Sequence, residues 1–192
     1  MTETILGLLR HGQTDWNIDL RLQGSSDIPL NETGRNQAAV AGAKLSRADW
    51  DVIIASPLSR ASDTANIIAE QLGMKVVIVP ELVERSFGVA EGASHSEWRR
   101  MFEANEYIEG LEPIEVLRTR SEALLQLIAT EYDGLRVLAV SHGAFIRKVL
   151  RVVSDNEIPR DGDRLGNASL NKVVHSDGSW SILGYNPESL AL

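Results

Sequence analysis

The fold class follows from residues 51–73, which read DVIIASPLSRASDTANIIAEQLG. The first five are mostly apolar and β-branched, which predicts a buried strand. Ser56 and Pro57 come next and are typical of the N-cap and the first position of a helix. Gly73 suits the C-terminal cap of that helix. Between these limits apolar side chains recur every three or four positions and predict one buried face, at Leu58, Ala61, Ala65, Ile68 and Leu72.

The same alternation of strand and helix patterns extends through the rest of the chain. Strands are predicted at residues 5–9, 51–55, 75–79 and 136–140, with two weaker ones at 169–175 and 180–184. Helices are predicted at residues 31–46, 56–72, 113–132 and 145–153. Apolar strands that alternate with helices favour an α/β fold, with a mainly parallel mixed sheet flanked by helices on both faces. Residues 1–192 are expected to form a single domain.

The composition narrows the class of protein. Of the 192 residues, 43% are hydrophobic and 24% are charged, which suits a globular domain with a sizeable core. The chain has no cysteine, so thiolate nucleophiles, disulfides and cysteine metal sites are excluded. Its net charge of −8 argues against a nucleic-acid partner, which would need a basic face. No apolar run is long enough to span a bilayer and no signal-peptide pattern is present, so we expect a cytoplasmic protein without a membrane partner.

Charged and nucleophilic residues follow four of the predicted strands. The first strand is followed by Arg10-His11-Gly12, the second by Ser56 and Arg60, the third by Glu84, and the fourth by Ser141-His142-Gly143. In parallel sheets ligands bind beyond the carboxyl ends of the strands, so these residues are expected to meet at one edge. Taken singly, each has an ordinary structural interpretation, such as a solvated arginine or a hydrogen-bonded histidine. The combination predicts an active site.

These residue types suit phosphoryl transfer. Arg10 and Arg60 can donate bidentate hydrogen bonds to the oxygens of a phosphate monoester. A neutral imidazole is a competent nucleophile toward phosphorus, and His142, if protonated, would add a third positive charge. Gly12 and Gly143 leave room for substrate beside the backbone. The N-terminus of the helix after His142 is expected to help bind the anion.

Glu84 is the candidate for proton transfer. As an acid it can protonate the departing oxygen, and as a carboxylate it can then activate water. The sequence has no P-loop or acidic magnesium-binding run, and histidines 11, 95, 142 and 175 lack zinc-ligand spacing, so neither a metal nor another cofactor is expected. His95 and His175 are predicted to be surface or structural residues.

Five sequence blocks in order resemble one protein family. The first, Leu9-Arg10-His11-Gly12-Gln13-Thr14-Asp15-Trp16-Asn17, resembles the signature of the histidine phosphatase superfamily, the phosphoglycerate-mutase-like proteins. The others are Gln23-Gly24 with residues 27–34, residues 56–65 around Arg60, residues 81–88 around Glu84, and residues 140–143 around His142. Arg-His-Gly alone is a weak signal, whereas five blocks in order are highly specific.

The resemblance implies a role for each candidate residue. It implies that His11 is the nucleophile that becomes phosphorylated and that Glu84 is the proton donor. Arg10, Arg60 and His142 would complete the phosphate pocket. The candidates for the rim of the pocket and for substrate contacts are Asn17, Gln23, Gly24, Gly143, Arg85, Arg99 and Arg100. The family fold, a largely parallel mixed sheet between helices, agrees with the pattern analysis.

A phosphatase is favoured over a mutase within this family. Its cofactor-dependent mutases are longer and carry insertions and a C-terminal tail that shield the phosphohistidine from water, whereas this chain is short. We therefore expect a metal-independent phosphomonoesterase acting on a small phosphorylated metabolite, with a phosphoglycerate mutase as the alternative. A non-catalytic phosphate-binding module is least favoured, because both His11 and Glu84 are present. Protein-phosphohistidine phosphatases of this type tend to be shorter and to lack the block around Glu84.

Two details bear on the substrate. Trp98-Arg99-Arg100 resembles the arginine pair with which the mutases grip phosphoglycerate, and it would indicate a substrate with a carboxylate or a second phosphate. A solvated helix face with a packed tryptophan is the slightly favoured interpretation of the same residues. Ala90 stands where the small phosphatases commonly have a tryptophan, so one wall of the pocket is expected to differ from theirs.

Overall fold

A six-stranded sheet forms the centre of the protein. The computed structural model describes residues 3–186. The strands are β1 Thr4–Arg10, β2 Val52–Ala55, β3 Val76–Ile78, β4 Arg136–Ser141, β5 Leu170–Ser176 and β6 Ser179–Gly184. The α-helices are α1 Asp15–Ile18, α2 Glu32–Lys44, α3 Ser59–Leu72, α4 His95–Glu103, α5 Ile114–Glu131 and α6 Gly143–Val153. The strand order is β3-β2-β4-β1-β5-β6. The strands β3, β2, β4 and β1 pair in parallel, whereas β5 pairs antiparallel with both β1 and β6. The predicted α/β class with a mainly parallel mixed sheet is confirmed.

Both faces of the sheet are buried, because successive side chains of a strand point in opposite directions. On β4, Val137 and Ala139 contribute to the core under α5 and α6, whereas Leu138 and Val140 contribute to the core under α2 and α3. Burial of each large apolar side chain contributes roughly 1.5–3 kcal/mol. The two cores therefore hold β1 and β4 in the middle of the sheet. Among the described helices, none is long and apolar enough to cross a bilayer.

One predicted helix start is wrong. Helix α3 begins at Ser59 with Leu58 as its N-cap, so Ser56 is not the cap and Pro57 is not the first helical residue. The Oγ of Ser56 lies instead 2.8 Å from Nε2 of His142. The same Oγ accepts from the backbone N–H of Leu58 at 3.3 Å, so Ser56 bonds to the turn that precedes α3 and to His142, and the helix itself begins three residues later.

Helix α6 begins two residues earlier than predicted. Its first residue is Gly143 and its N-cap is His142, whose side chain makes no capping hydrogen bond. The carboxylate of Glu84 accepts hydrogen bonds from the backbone N–H groups of Ala144 at 3.0 Å and Phe145 at 2.9 Å. A residue distant in sequence therefore caps this helix, and local patterns give no sign of it.

The sequence patterns predict neither α1 nor α4. Each of these short helices begins with a capping box, formed by Thr14 with Asn17 and by Ser94 with Glu97. Both are short and neither contains a fully buried residue, so an apolar period has few turns over which to show. Residues of both line the cavity described next.

Candidate active site

A cavity of about 440 Å³ opens at the carboxyl ends of β1 and β4. Arg10 and His11 line it at the end of β1, and Gly143 lines it at the start of α6. The backbone N–H of His11 donates to the carbonyl of Ser141 at 2.9 Å, so the two strand ends are joined directly. Glu84 reaches the same cavity from the loop after β3. The structure thus brings together side chains that are far apart in the sequence.

The imidazole of His11 is held in a single orientation. Its Nδ1 lies 2.6 Å from the carbonyl oxygen of Gly12, which can only accept, so Nδ1 carries the proton and Nε2 keeps its lone pair. A Cβ on Gly12 would collide with the backbone carbonyl of Gly34, so position 12 has no room for a side chain. Burial, followed by the charges of Arg60 and Arg10, lowers the pKa of His11 well below its usual value. The ring is therefore neutral near pH 7.

His142 is also neutral, and its two nitrogens both have partners. Its Nδ1 accepts from Nε of Arg60 at 3.2 Å, so Nε2 carries the proton and donates to Oγ of Ser56 at 2.8 Å. The rings of His142 and His11 lie 5.2 Å apart between centroids. Burial, then Arg60, then His11, lowers the pKa of His142 well below its usual value. The expectation that a protonated His142 supplies a third positive charge is therefore corrected.

Arg10 presents an unpaired donor to this region. Its Nη1 donates to the carbonyl of Leu165 at 2.6 Å, whereas its buried Nε has no hydrogen-bond partner among the described residues. A Cβ on Gly143 would lie 3.4 Å from that Nε, so a glycine at this position leaves the side of the guanidinium open. A buried N–H without a partner costs roughly 1–3 kcal/mol, which an anionic ligand would recover. Arg10 is thus suited to bind a phosphate oxygen.

Arg60 is fully buried and is not among the described residues that line the cavity. Its Nη1 donates to the carbonyl of Ser26 at 2.8 Å and its Nη2 to the carbonyl of Gly24 at 2.7 Å, in addition to the bond with His142. Burial is the largest effect on its pKa and lowers it. The sequence predicts bidentate hydrogen bonds from Arg60 to the phosphate. In the structure the guanidinium instead holds the loop of residues 24–26, and it contributes its positive charge from a buried position.

Glu91 holds the same loop from the other side. Its Oε1 accepts from the backbone N–H and Oγ of Ser25 at 2.9 and 2.8 Å, and its Oε2 accepts from those of Ser26 at 2.8 and 2.5 Å. Desolvation raises the pKa of Glu91, but these hydrogen bonds outweigh it and lower the pKa overall. Sequence analysis missed this residue, although a carboxylate in the glycine-rich block at 88–92 was a usable signal.

The carboxylate of Glu84 occupies the N-terminus of α6. One oxygen accepts from the N–H groups of Phe145 and Arg85 at 2.9 and 2.8 Å, and the other accepts from Ala144 at 3.0 Å. Glu84 thus uses two of the N–H groups at the start of α6, which the sequence analysis expected to help bind the substrate anion. The same bonds hold the carboxylate on the cavity wall, where a leaving oxygen could reach it.

Asn17, Gln23 and Gly24 line the rim of the cavity, as expected for the candidate rim residues. The Oδ1 of Asn17 accepts from Nδ2 of Asn167 at 3.2 Å, and that same Nδ2 donates to the carbonyl of His11 at 3.0 Å. Gln23 accepts from Oγ1 of Thr14 at 3.0 Å. A polar chain therefore connects the rim to the backbone of His11.

A model of the histidine phosphatase superfamily (branch 1) matches residues 6–188, which is nearly the whole chain. The protein belongs to the histidine phosphatase superfamily. The uncharacterized phosphatase PhoE of Bacillus subtilis (strain 168) is 38% identical over 186 residues, which cover 97% of this chain and 96% of that protein. The probable phosphoglycerate mutase GpmB of Serratia proteamaculans (strain 568) is 32% identical over 195 residues, covering 95% and 90%.

Solved structures agree with this assignment. The crystal structure of phosphoserine phosphatase from Entamoeba histolytica in complex with 3-phosphoglyceric acid superposes with a TM-score of 0.86. It shares 27% sequence identity and covers 98% of this chain and 100% of that one. The chain is thus similar to enzymes named as phosphatases and as mutases, and it is a histidine phosphatase superfamily enzyme.

Three candidate arginines lie outside the cavity lining of this superfamily member. Nε of Arg85 donates to the carbonyl of Glu112 at 3.0 Å, and its guanidinium lies 5.5 Å from the centre of the Phe87 ring. Arg99 and Arg100 are exposed on α4. Between them and the core, the ring of Trp98 meets that of Phe87 edge-on at 5.3 Å. This arrangement is the solvated face with a packed tryptophan that the sequence favoured.

The cavity also contains residues that sequence analysis assigned elsewhere or missed. His95, which was predicted to be a surface or structural residue, is exposed and lines the cavity together with Arg21, Arg147 and Arg164. His175 packs against the ring of Trp180 at 5.1 Å on the far strands. Among residues 3–186, no group of three or more histidine, aspartate or glutamate side chains is arranged to hold a metal ion. Ala90 is buried beside Leu22 and Ile108.

Proposed function

We propose that the protein is a metal-independent phosphomonoesterase that acts on a small phosphorylated metabolite through a phosphohistidine at His11. One observation carries the proposal: the neutral ring of His11 donates from Nδ1 to Gly12, which leaves the lone pair of Nε2 for phosphorus. The match over residues 6–188 supports treating 1–192 as one histidine-phosphatase domain. We place the reaction in the cytoplasm, where such metabolites are found.

The reaction follows in two balanced steps. Nε2 of His11 attacks phosphorus, the bond between phosphorus and the ester oxygen breaks, and Glu84 gives its proton to the departing oxygen. Glu84 then takes a proton from water as that water attacks phosphorus, and the phosphorus–nitrogen bond breaks to regenerate neutral His11. Arg10, with its unpaired Nε, and the buried Arg60 stabilise the charge that builds up on the equatorial oxygens.

A phosphoglycerate mutase is the second candidate, and the similarity to GpmB supports it. A mutase would keep water away and return the phosphoryl group to another hydroxyl. Two observations favour the phosphatase. The relative with 38% identity is named a phosphatase. In addition, Arg99 and Arg100, the pair that would grip phosphoglycerate, lie outside the cavity lining. A non-catalytic module would have no need for the neutral, oriented ring of His11.

The test measures phosphate release from a panel of sugar phosphates, phosphoglycerates and nucleotide monophosphates, with and without EDTA. We expect release from at least one ester, no effect of EDTA, and a labelled intermediate that is stable in base and lost in acid. His11→Ala should abolish both release and labelling, whereas His175→Ala, a histidine on β5 away from the cavity, should change neither. Loss of activity in EDTA, or isomerisation of phosphoglycerate without phosphate release, would overturn the proposal.

A further inference from the structure

The charge that lines the cavity exceeds what one phosphate requires. Besides Arg10, three more arginines contribute to the lining, namely Arg21, Arg147 and Arg164, whereas Glu84 is the single carboxylate among the lining residues. Glu84 is already surrounded by backbone N–H groups. Such a concentration of positive charge in a chain with a net charge of −8 indicates a ligand with more than one anionic group.

Arg164 is connected to the reaction centre through its own backbone. The next residue, Leu165, accepts the hydrogen bond of Arg10, and Asn167 donates to the carbonyl of His11. The side chain of Arg164 makes no hydrogen bond or ion pair with any described residue, so its donors are available. The backbone position of Arg164 is therefore fixed by the segment of residues 165–167, which also bonds to Arg10 and His11.

His95 lines the same cavity as Arg164. Burial is the main effect that lowers the pKa of His95, and the charges of Arg164 and Arg10 add to it. A neutral imidazole in this position can donate one hydrogen bond to an anion that Arg164 attracts.

The other two arginines are already engaged. Nη1 of Arg21 donates to the carbonyl of Gly92 at 3.2 Å, and its Nε lies 3.6 Å from the carboxylate of Asp19. Arg147 donates through Nη2 to the carbonyl of Asp163. They add to the positive potential of the cavity, but Arg164 is the arginine whose donors are not committed to the protein.

We propose that Arg164 and His95 form an outer anion site, which binds a second negatively charged group of the substrate while the reacting phosphate lies at His11. The ligand class is a small phosphate ester that also carries a carboxylate or a second phosphate. This inference rests on the proposed function, because it places the reacting phosphate at His11. A guanidinium and an imidazole N–H suit either anion, since both present oxygen acceptors.

Matched pairs of esters test the outer site. O-Phosphoserine and O-phosphoethanolamine differ by one carboxylate, and a hexose bisphosphate and its monophosphate differ by one phosphate. We expect the wild-type kcat/KM to be higher for the member with the additional anionic group in at least one pair, which also tells carboxylate from phosphate. Arg164→Ala should reduce kcat/KM for that member roughly tenfold and leave its partner ester unchanged. Arg164→Lys should restore part of the loss, and Arg35→Ala, an exposed arginine on α2, should behave as wild type.

Two results would overturn the outer site. One is an equal loss on both members of each pair, which would show a structural role for Arg164. The other is no loss on any ester. Failure of the proposed function looks different, because then no ester in the panel would release phosphate. In that case equilibrium binding of the same pairs, compared between wild type and Arg164→Ala, decides the outer site alone. Tighter binding of the ester with the additional anionic group, abolished in Arg164→Ala, would support the outer site. Equal binding of that ester by wild type and Arg164→Ala would refute it.

Discussion

Replacing Glu91 with glutamine tests how the phosphate pocket is held. The side chain does not touch the reacting atoms, but it accepts four hydrogen bonds from Ser25 and Ser26 and a fifth from the N–H of Phe87 at 3.2 Å. The same loop offers the carbonyls of residues 24 and 26 to Arg60. Glu91→Gln keeps the shape of the side chain, removes its charge and turns one of its two acceptors into a donor.

The expected magnitude follows from the bonds at Ser26. Its N–H and Oγ both approach a single carboxylate oxygen, and in the glutamine variant one pair of donors must face an amide NH₂. A hydrogen bond to a charged group contributes roughly 1.5–3 kcal/mol, and solvent reduces this at the exposed Ser25. We therefore expect a loss of about 2 kcal/mol in the free energy of unfolding. A loosened loop also releases two of the carbonyl partners of Arg60, so kcat/KM should fall about tenfold or more.

The assay combines urea unfolding with release of phosphate from O-phosphoethanolamine. Glu97→Gln is the matched control, because Glu97 accepts from the N–H and Oγ of Ser94 at 2.7 Å each but caps α4 instead of the pocket loop. Because Glu97 is fully exposed to solvent, the control should lose less stability than Glu91→Gln and keep its activity. Wild-type kcat/KM in Glu91→Gln, or an equal loss of activity in Glu97→Gln, would refute the role given to Glu91.

Two further predictions concern buried and paired polar groups. Hydrogen bonds from Arg136 lower the pKa of Asp51 from 3.8 to about 2, so their stabilisation is present above pH about 4 and lost as the pH falls through 2. The urea midpoint should therefore drop over that range in wild type and change less in Asp51→Asn. Ser56→Ala should leave Nε2–H of His142 without an acceptor, which costs about 1–3 kcal/mol of stability and lowers kcat more than it changes KM. Unchanged kcat would contradict this.

The fold could be predicted because the central strands are buried on both faces. On β4 every residue from 137 to 140 is buried, which makes the strand a continuous apolar run that a sequence pattern detects. The helices α3 and α5 carry apolar stripes of the expected period. One error occurred where a distant side chain acts as the cap, as Glu84 does at the start of α6.

Without the family resemblance, which also gave Asn17, Gln23 and Gly24, the site could be predicted only where its residues follow a strand. His11 and His142 have this position, so the rule about strand ends located them. Glu91 acts on Ser25, which is 66 positions away, and both lie in irregular segments without any periodic signal. His95 and Arg164 reach the cavity from α4 and from the segment before β5, and no propensity indicates that these two segments meet.

The hydrogen-bond partners of Arg10 and Arg60 explain how the pocket keeps its positive charge. Within residues 3–186, neither arginine has an ion pair within 4.0 Å, and their bonds go to the carbonyls of residues 165, 24 and 26 and to His142. A carbonyl accepts a hydrogen bond without cancelling the charge, whereas a carboxylate would neutralise it. Burial and, after it, the charges of the two arginines lower the pKa of both histidines, which favours the unprotonated form that a nucleophile requires. Because carbonyl groups are dipoles without net charge, they leave the positive potential for the phosphate intact and favour a neutral His11 with a free lone pair. A carboxylate placed against either guanidinium would weaken this potential and would favour protonation of His11.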